Sequence, residues 1–132
     1  RQNIKISCPL SLVPKDIEKL NVSVEPDIHK ALRWCDAVNV LRVQRERMIK
    51  SYFPDNREYS MLFGLDENKI SSIKKDILIL HPGPVNRGVE ITSDLVESNN
   101  SIILDQVENG VAIRMAIMYL LASKLNFTIN KS

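Results

Sequence analysis

The chain has 132 residues, enough for one domain with a buried core. Eighteen basic side chains against 16 acidic ones leave a net charge of +2, and the few aromatics do not interleave with the basic residues, which argues against nucleic-acid binding. Cys8 and Cys35 form no CxxC pair and stand beside only two histidines, His29 and His81, so a metal site is not expected and buried free thiols in a reducing compartment are.

Ile4-Lys5-Ile6-Ser7-Cys8 alternates and stops at Pro9, which predicts a first strand. Pro14 to Leu20 predicts a short helix with proline in its first turn, and Val22-Ser23-Val24 a brief strand. Pro26-Asp27 opens a helix that sets Ile28, Ala31, Leu32 and Cys35 on one face. Val38 to Val43 is the next strand. From Gln44 to Phe63 the pattern is polar and irregular, with Pro54-Asp55-Asn56 and the aromatics Tyr52, Phe53 and Tyr59. A long loop with one helical turn is expected there, and loops of that length are usually functional or mobile. Asp66 is placed to cap a helix through Lys74, Ile77 to Leu80 is a strand, and Ile102 to Leu104 is a candidate last strand. Asn109-Gly110 suggests a turn at the head of a final helix from about Glu108 to Lys124.

That helix is apolar almost all round, through Val111, Ala112, Met115, Ile117, Met118, Leu120, Leu121 and Ala122. A helix hydrophobic on every side has to be buried on every side, so a further domain or subunit is expected against it. The apolar stretch from Val111 to Ala122 contains Arg114 and is too short to span a bilayer; no membrane association is expected. No signal-peptide pattern opens the chain, so a soluble, cytoplasmic protein is the expectation. The first residue is Arg1 rather than methionine, which points to a fragment or a processed chain. Strands alternating with helices imply parallel pairing, because parallel neighbours need crossover connections. The expected fold class is therefore α/β, a Rossmann-like parallel sheet flanked by helices.

The segment His81-Pro82-Gly83-Pro84-Val85-Asn86-Arg87-Gly88 follows the apolar run Ile77-Leu78-Ile79-Leu80 and is the richest in constraint. Two prolines fix φ and remove donors, while Gly83 opens angles closed to other residues. Such a loop, at the carboxyl edge of a parallel strand where ligands bind in open α/β sheets, suits the presentation of backbone carbonyls to a small polar ligand. On composition alone it reads equally as a stiff strand-to-helix connection. Arg42 and Gln44 end another strand and fall on the same edge. Arginine is shaped for bidentate capture of a carboxylate or phosphate, and Gln44 could add a neutral donor. Taken alone, Arg42, Arg45, Glu46 and Arg47 read more simply as a solvated charge patch. No P-loop or GxGxxG supports nucleotide binding, no cofactor is indicated, and neither GxSxG nor a cysteine beside a base supports covalent catalysis.

Read together, Leu41-Arg42-Val43-Gln44-Arg45-Glu46-Arg47, then His81 through Ile91, then Gln106 through Ala116 (Gln-Val-Glu-Asn-Gly-Val-Ala-Ile-Arg-Met-Ala), resemble the catalytic chains of the aspartate carbamoyltransferases. Ornithine carbamoyltransferases share that fold but typically carry a His-Cys-Leu-Pro loop where this chain has His81-Pro82-Gly83-Pro84, which favours aspartate as the second substrate. The resemblance implies that residues 1–132 are a partial aspartate-binding domain, incomplete at its N-terminus. The family's carbamoyl-phosphate domain and its Ser-Thr-Arg-Thr motif are absent, as is the His-(Gly/Ser)-Arg segment that opens the aspartate domain. It implies transfer of a carbamoyl group from carbamoyl phosphate to L-aspartate in pyrimidine biosynthesis, with no side-chain catalyst in this segment. Arg42 would pair with an aspartate carboxylate, assisted by Gln44. Backbone carbonyls of Gly83 and Pro84 would accept hydrogen bonds from the carbamoyl amide and the incoming amine, around a cis Gly83–Pro84 bond. The stretch from Gln44 to Phe63 matches a loop that closes over substrate, and the apolar last helix would pack back on the missing N-terminal domain. The family also implies a homotrimer of full chains, admits a regulatory chain, and makes the 132-residue segment inactive alone. A non-catalytic module of the same fold binding a small anion or a partner chain, or a carbamoyltransferase with another amino-acid acceptor, remains the alternative.

Overall fold

A computed structural model of the chain describes residues 3–44, 55–73 and 76–129, with backbone alone for 125–129. Four short strands pair in parallel as two ribbons. Strand β1 (Ile4–Ile6) pairs with β2 (Val22–Val24) in the register Ile4↔Val22, and β3 (Ala37–Asn39) pairs with β4 (Leu78–Leu80) in the register Ala37↔Leu78. The parallel pairing expected from strand–helix alternation is present, carried by two ribbons with an apolar cleft of about 590 Å³ between them. Its walls include Ile4, Ile6, Leu32, Val38, Tyr59 and Phe63.

Between β1 and β2 run 3-10 turns at Leu10–Leu12 and Ile17–Leu20, the second occupying the back half of the predicted Pro14–Leu20 helix. Helix α1 (Ile28–Trp34) starts where Asp27 accepts hydrogen bonds from the amides of His29 (2.9 Å) and Lys30 (3.3 Å), satisfying donors that a helix start leaves open. It buries Leu32 and half-buries Ile28, Ala31 and Cys35, the face read from the spacing. Helix α2 (Asn56–Leu62) is capped in the same way by Asp55, whose carboxylate accepts from the Arg57 amide at 2.9 Å. Seven residues of helix stand where at most one turn was expected. The rest of the predicted mobile loop, residues 45–54, lies outside the described residues, as do Arg45, Glu46 and Arg47 of the charge patch.

Asp66 caps helix α3 (Glu67–Ser71) as expected, accepting from the Lys69 amide at 2.8 Å, although the helix ends before Lys74. Lys69 then does something its charge did not announce. Its side chain is buried, and Nζ donates to the carbonyls of Met61 (3.0 Å), Gly64 (2.6 Å) and Ser60 (3.3 Å), with Asp66 Oδ2 at 3.4 Å. The ammonium thereby closes the C-terminal end of α2, where carbonyls lack helical partners and the dipole favours a cation. Gly64 is required at this junction, because a Cβ there would lie 2.6 Å from the Ser60 carbonyl oxygen and 2.7 Å from that of Val89.

The core gathers round β4. Ile77 and Ile79 are fully buried and pack in one cluster with Leu32, Leu65, Ile91, Leu95 and Ile103. Ile79 is paired on both sides, with Val38 in β3 and through its own amide to the Asn100 carbonyl and its carbonyl to the Ile102 amide, both 2.9 Å. The predicted strand at Ile102–Leu104 is thus reduced to a bridge between Ile79 and Ser101. Helix α4 (Ser93–Val96) precedes it, and helix α5 (Ile103–Ile129) begins at once after it. Asn109-Gly110 therefore lies inside a helix and is no turn: burying Ile103 in the core starts the helix five residues before the sequence signal, and the glycine is carried within it. Along α5 every side chain from 111 to 124 is exposed, among them Met118, Tyr119 and Leu120. No helix among the described residues is long and apolar enough to cross a membrane.

Candidate functional site

The edge beyond β3 and β4 brings together the two segments singled out from the sequence. Past β3 the Val40 amide still donates to the Leu80 carbonyl at 2.8 Å, and the chain then runs through Leu41 to Gln44. Val43 is buried there, while Arg42 and Gln44 on either side of it are half-buried. Past β4 the chain enters the 81–91 loop. The side-chain amide of Asn86 in that loop donates to the Val43 carbonyl at 3.2 Å, across 43 residues of sequence. This one bond places the backbone between Arg42 and Gln44 against the Pro/Gly loop.

Within the loop the Gly83–Pro84 peptide is cis, and Gly83 and Gly88 both take positive φ, +68° and +79°. A left-handed backbone is open to glycine and costly for other residues, which explains both positions. Gly83 also faces α5, since a Cβ there would meet Val107 Cγ2 at 3.1 Å. The Pro82, Gly83 and Pro84 carbonyls accept no backbone hydrogen bond from any described residue. Hydrogen-bond acceptors at the carboxyl edge of a parallel strand, with the backbone next to Arg42 anchored to the same loop, suit a ligand that offers amine or amide hydrogens.

Two buried polar side chains shape the loop, and neither was given a role from the sequence. His81 is fully buried; its Nδ1 accepts the Gly83 amide at 2.9 Å, so the ring proton sits on Nε2, which faces Glu90 Oε1 at 3.3 Å. Glu90, also buried, accepts the Asn86 amide on the same oxygen at 2.6 Å. Its own backbone carbonyl accepts the Leu65 amide at 2.9 Å, and the Thr92 amide returns to Leu65 at 3.0 Å, which ties the loop to the core. A histidine before a Pro-Gly-Pro turn and an acid closing the same loop nine residues on was the signal available, and it carries no periodicity. Tyr59 in α2 reports on this interior too. Its phenol is pushed up to about 12, first by burial, then by negative charge on Glu90 and on Cys8.

Comparison with known proteins adds an independent line. The model of the aspartate/ornithine carbamoyltransferase Asp/Orn binding domain matches residues 3–121. The aspartate carbamoyltransferase catalytic subunit of Flavobacterium psychrophilum is 60% identical over 122 residues, covering 92% of this chain and 40% of that protein. The chain thus spans about two fifths of the length of the curated relatives it matches. Among solved structures, aspartate transcarbamoylase from Trypanosoma cruzi in complex with carbamoyl phosphate superposes with a TM-score of 0.71 at 18% identity, covering 89% of this chain and 40% of that one. Anabolic ornithine carbamoyltransferase from Campylobacter jejuni gives 0.68 at 21% identity, covering 92% and 43%. At such identities the two structures establish the shared α/β fold.

Proposed function

The chain belongs to the aspartate/ornithine carbamoyltransferase family, and from that premise we propose that residues 1–132 are the aspartate-binding part of a carbamoyltransferase acting on L-aspartate. In the proposed reaction the amine of aspartate attacks the carbamoyl carbon of carbamoyl phosphate, a carbon–nitrogen bond forms, and the carbon–oxygen bond to phosphate breaks. The products are N-carbamoyl-L-aspartate and phosphate, and the activity belongs to de novo pyrimidine synthesis. Curated relatives named for aspartate, at 55–60% identity, favour this acceptor over ornithine.

Arg42 supplies the guanidinium for an aspartate carboxylate, and Gln44 assists from the other side of buried Val43. The carbonyls of Gly83 and Pro84 accept from the carbamoyl amide and the incoming amine. The bond from Asn86 to the Val43 carbonyl carries the proposal, because it draws the arginine segment and the carbonyl-rich loop to one edge. Such a site accelerates a direct displacement by alignment and fixed dipoles, with no covalent intermediate and no cofactor. Donors for the developing oxyanion and the phosphate belong to a second, carbamoyl-phosphate-binding domain. That domain also gives the exposed apolar length of α5 a surface to cover it. The complete enzyme is proposed to be a cytoplasmic homotrimer, with the segment inactive by itself.

Arg42→Ala in the full-length chain tests the assignment. Losing a charged hydrogen-bond partner is expected to weaken aspartate use about 10- to 100-fold while carbamoyl phosphate binding stays nearly intact. Steady-state kinetics with each substrate varied in turn decide it, and unchanged aspartate kinetics would remove Arg42 from the site.

A further inference from the structure

The buried polar interior of the 81–91 loop forms a continuous chain of contacts. It runs from the Gly83 amide to His81 Nδ1 (2.9 Å), from His81 Nε2 to Glu90 Oε1 (3.3 Å), from that oxygen to the Asn86 amide (2.6 Å), and from Asn86 Nδ2 to the Val43 carbonyl (3.2 Å). One end fixes the peptide that precedes the cis Gly83–Pro84 bond, and the other fixes the backbone between Arg42 and Gln44. Burying a histidine and a glutamate together is costly unless each is hydrogen-bonded, and both spend their bonds on this loop. We infer that His81 and Glu90 are positioning residues, which set the aim of the loop carbonyls and, through Asn86, hold them in register with Arg42. The inference rests on the proposed substrate site, and neither residue touches substrate in it.

Pairs of variants in the full-length chain separate positioning from mere folding. In His81→Asn the side-chain oxygen falls where Nδ1 accepts the Gly83 amide, whereas His81→Leu removes that acceptor. In Glu90→Gln the amide oxygen still accepts from Asn86, whereas Glu90→Leu accepts nothing. A misaimed reacting geometry costs rate, so His81→Leu and Glu90→Leu are expected to lose kcat about tenfold or more with little change in the KM for carbamoyl phosphate. His81→Asn and Glu90→Gln should recover most of that loss, and Asn86→Ala should raise the KM for aspartate severalfold. Conservative and removing variants with equal kcat would overturn the inference.

Should the leucine variants fail to fold, His81→Asn, Glu90→Gln and Asn86→Ala still decide it. Asn86→Ala with a wild-type KM for aspartate, His81→Asn and Glu90→Gln losing kcat about tenfold or more, or any such loss that follows thermal stability alone, would count against positioning. Arg42→Ala, run alongside, reports on the site itself. If it leaves aspartate use intact, the substrate assignment fails, and hydrogen exchange of the Gly83 and Asn86 amides then judges the loop by itself. Faster exchange at Asn86 in Glu90→Leu, restored in Glu90→Gln, supports a Glu90-held loop; identical exchange in both overturns it.

Discussion

The two ribbons β1–β2 and β3–β4 have the same geometry, three residue pairs each in parallel, yet they do opposite work. No side chain of β1 or β2 is buried, and Ile4 is 54% exposed. In the other ribbon Ile79 is 0% exposed and the strand around it is hydrogen-bonded on both flanks, Ile79 itself to residues 100 and 102 and its neighbours Leu78 and Leu80 to the β3 segment. Backbone pairing alone therefore does not make a core. What separates the ribbons is cover, since Leu32, Leu65, Ile91, Leu95 and Ile103 all converge round β4. The candidate site grows from the ends of the covered ribbon, where rigid packing can hold a loop in one conformation.

The largest expected effect breaks this contrast directly. Ile79→Ala in the full-length chain should cost about 2–5 kcal/mol by urea unfolding, as deletion of a fully buried side chain with no room for collapse. Ile6→Ala, at a half-buried position of β1, should cost about 1 kcal/mol. Equal losses would mean that the first ribbon is as well covered as the second in the complete protein.

Next in size is the pair of lysines. Lys69→Met strips Ser60, Met61 and Gly64 of a buried charged donor and should cost about 1.5–3 kcal/mol. Lys30→Met, at an exposed pair 3.9 Å from Asp27, should stay within about 0.5 kcal/mol by the same measurement.

The smallest effect is a pH dependence. Tyr59 lines the cleft between the ribbons, and its phenol, ordinarily near 10, is pushed up to about 12 by burial first and by Glu90 second. Folding thus favours the neutral phenol. Its contribution to stability is fully present below pH 10 and is lost as pH rises through about 12. A tyrosinate absorbance titration should show a component ionising at about 12, and Tyr59→Phe should abolish it.

Signals confined to a few residues were legible in the sequence. Asp27 and Asp66 cap the helices that follow them, Val22–Val24 is a strand at its predicted bounds, and the face Ile28, Ala31, Leu32 and Cys35 is turned inward. Each of these is set by a side-chain bond to a nearby amide or by a local period. The site was legible only in outline. Arg42, Gln44, Gly83 and Pro84 stood out by residue type and by strand-end position, while the bond from Asn86 to Val43 that joins their segments did not.

By itself, then, the sequence determined the α/β alternation, the caps and the glycine-bearing loop, because those forces act over one or two turns of chain. Only the tertiary structure decided that His81 and Glu90 share one buried hydrogen-bonded interior, that Lys69 closes the end of α2, and that α5 begins at Ile103. A charged or polar residue goes inside only when partners from other segments meet it there. Ile103 is drawn into the helix early because the core round Ile79 covers it. Those partners are chosen by packing, which no local pattern records.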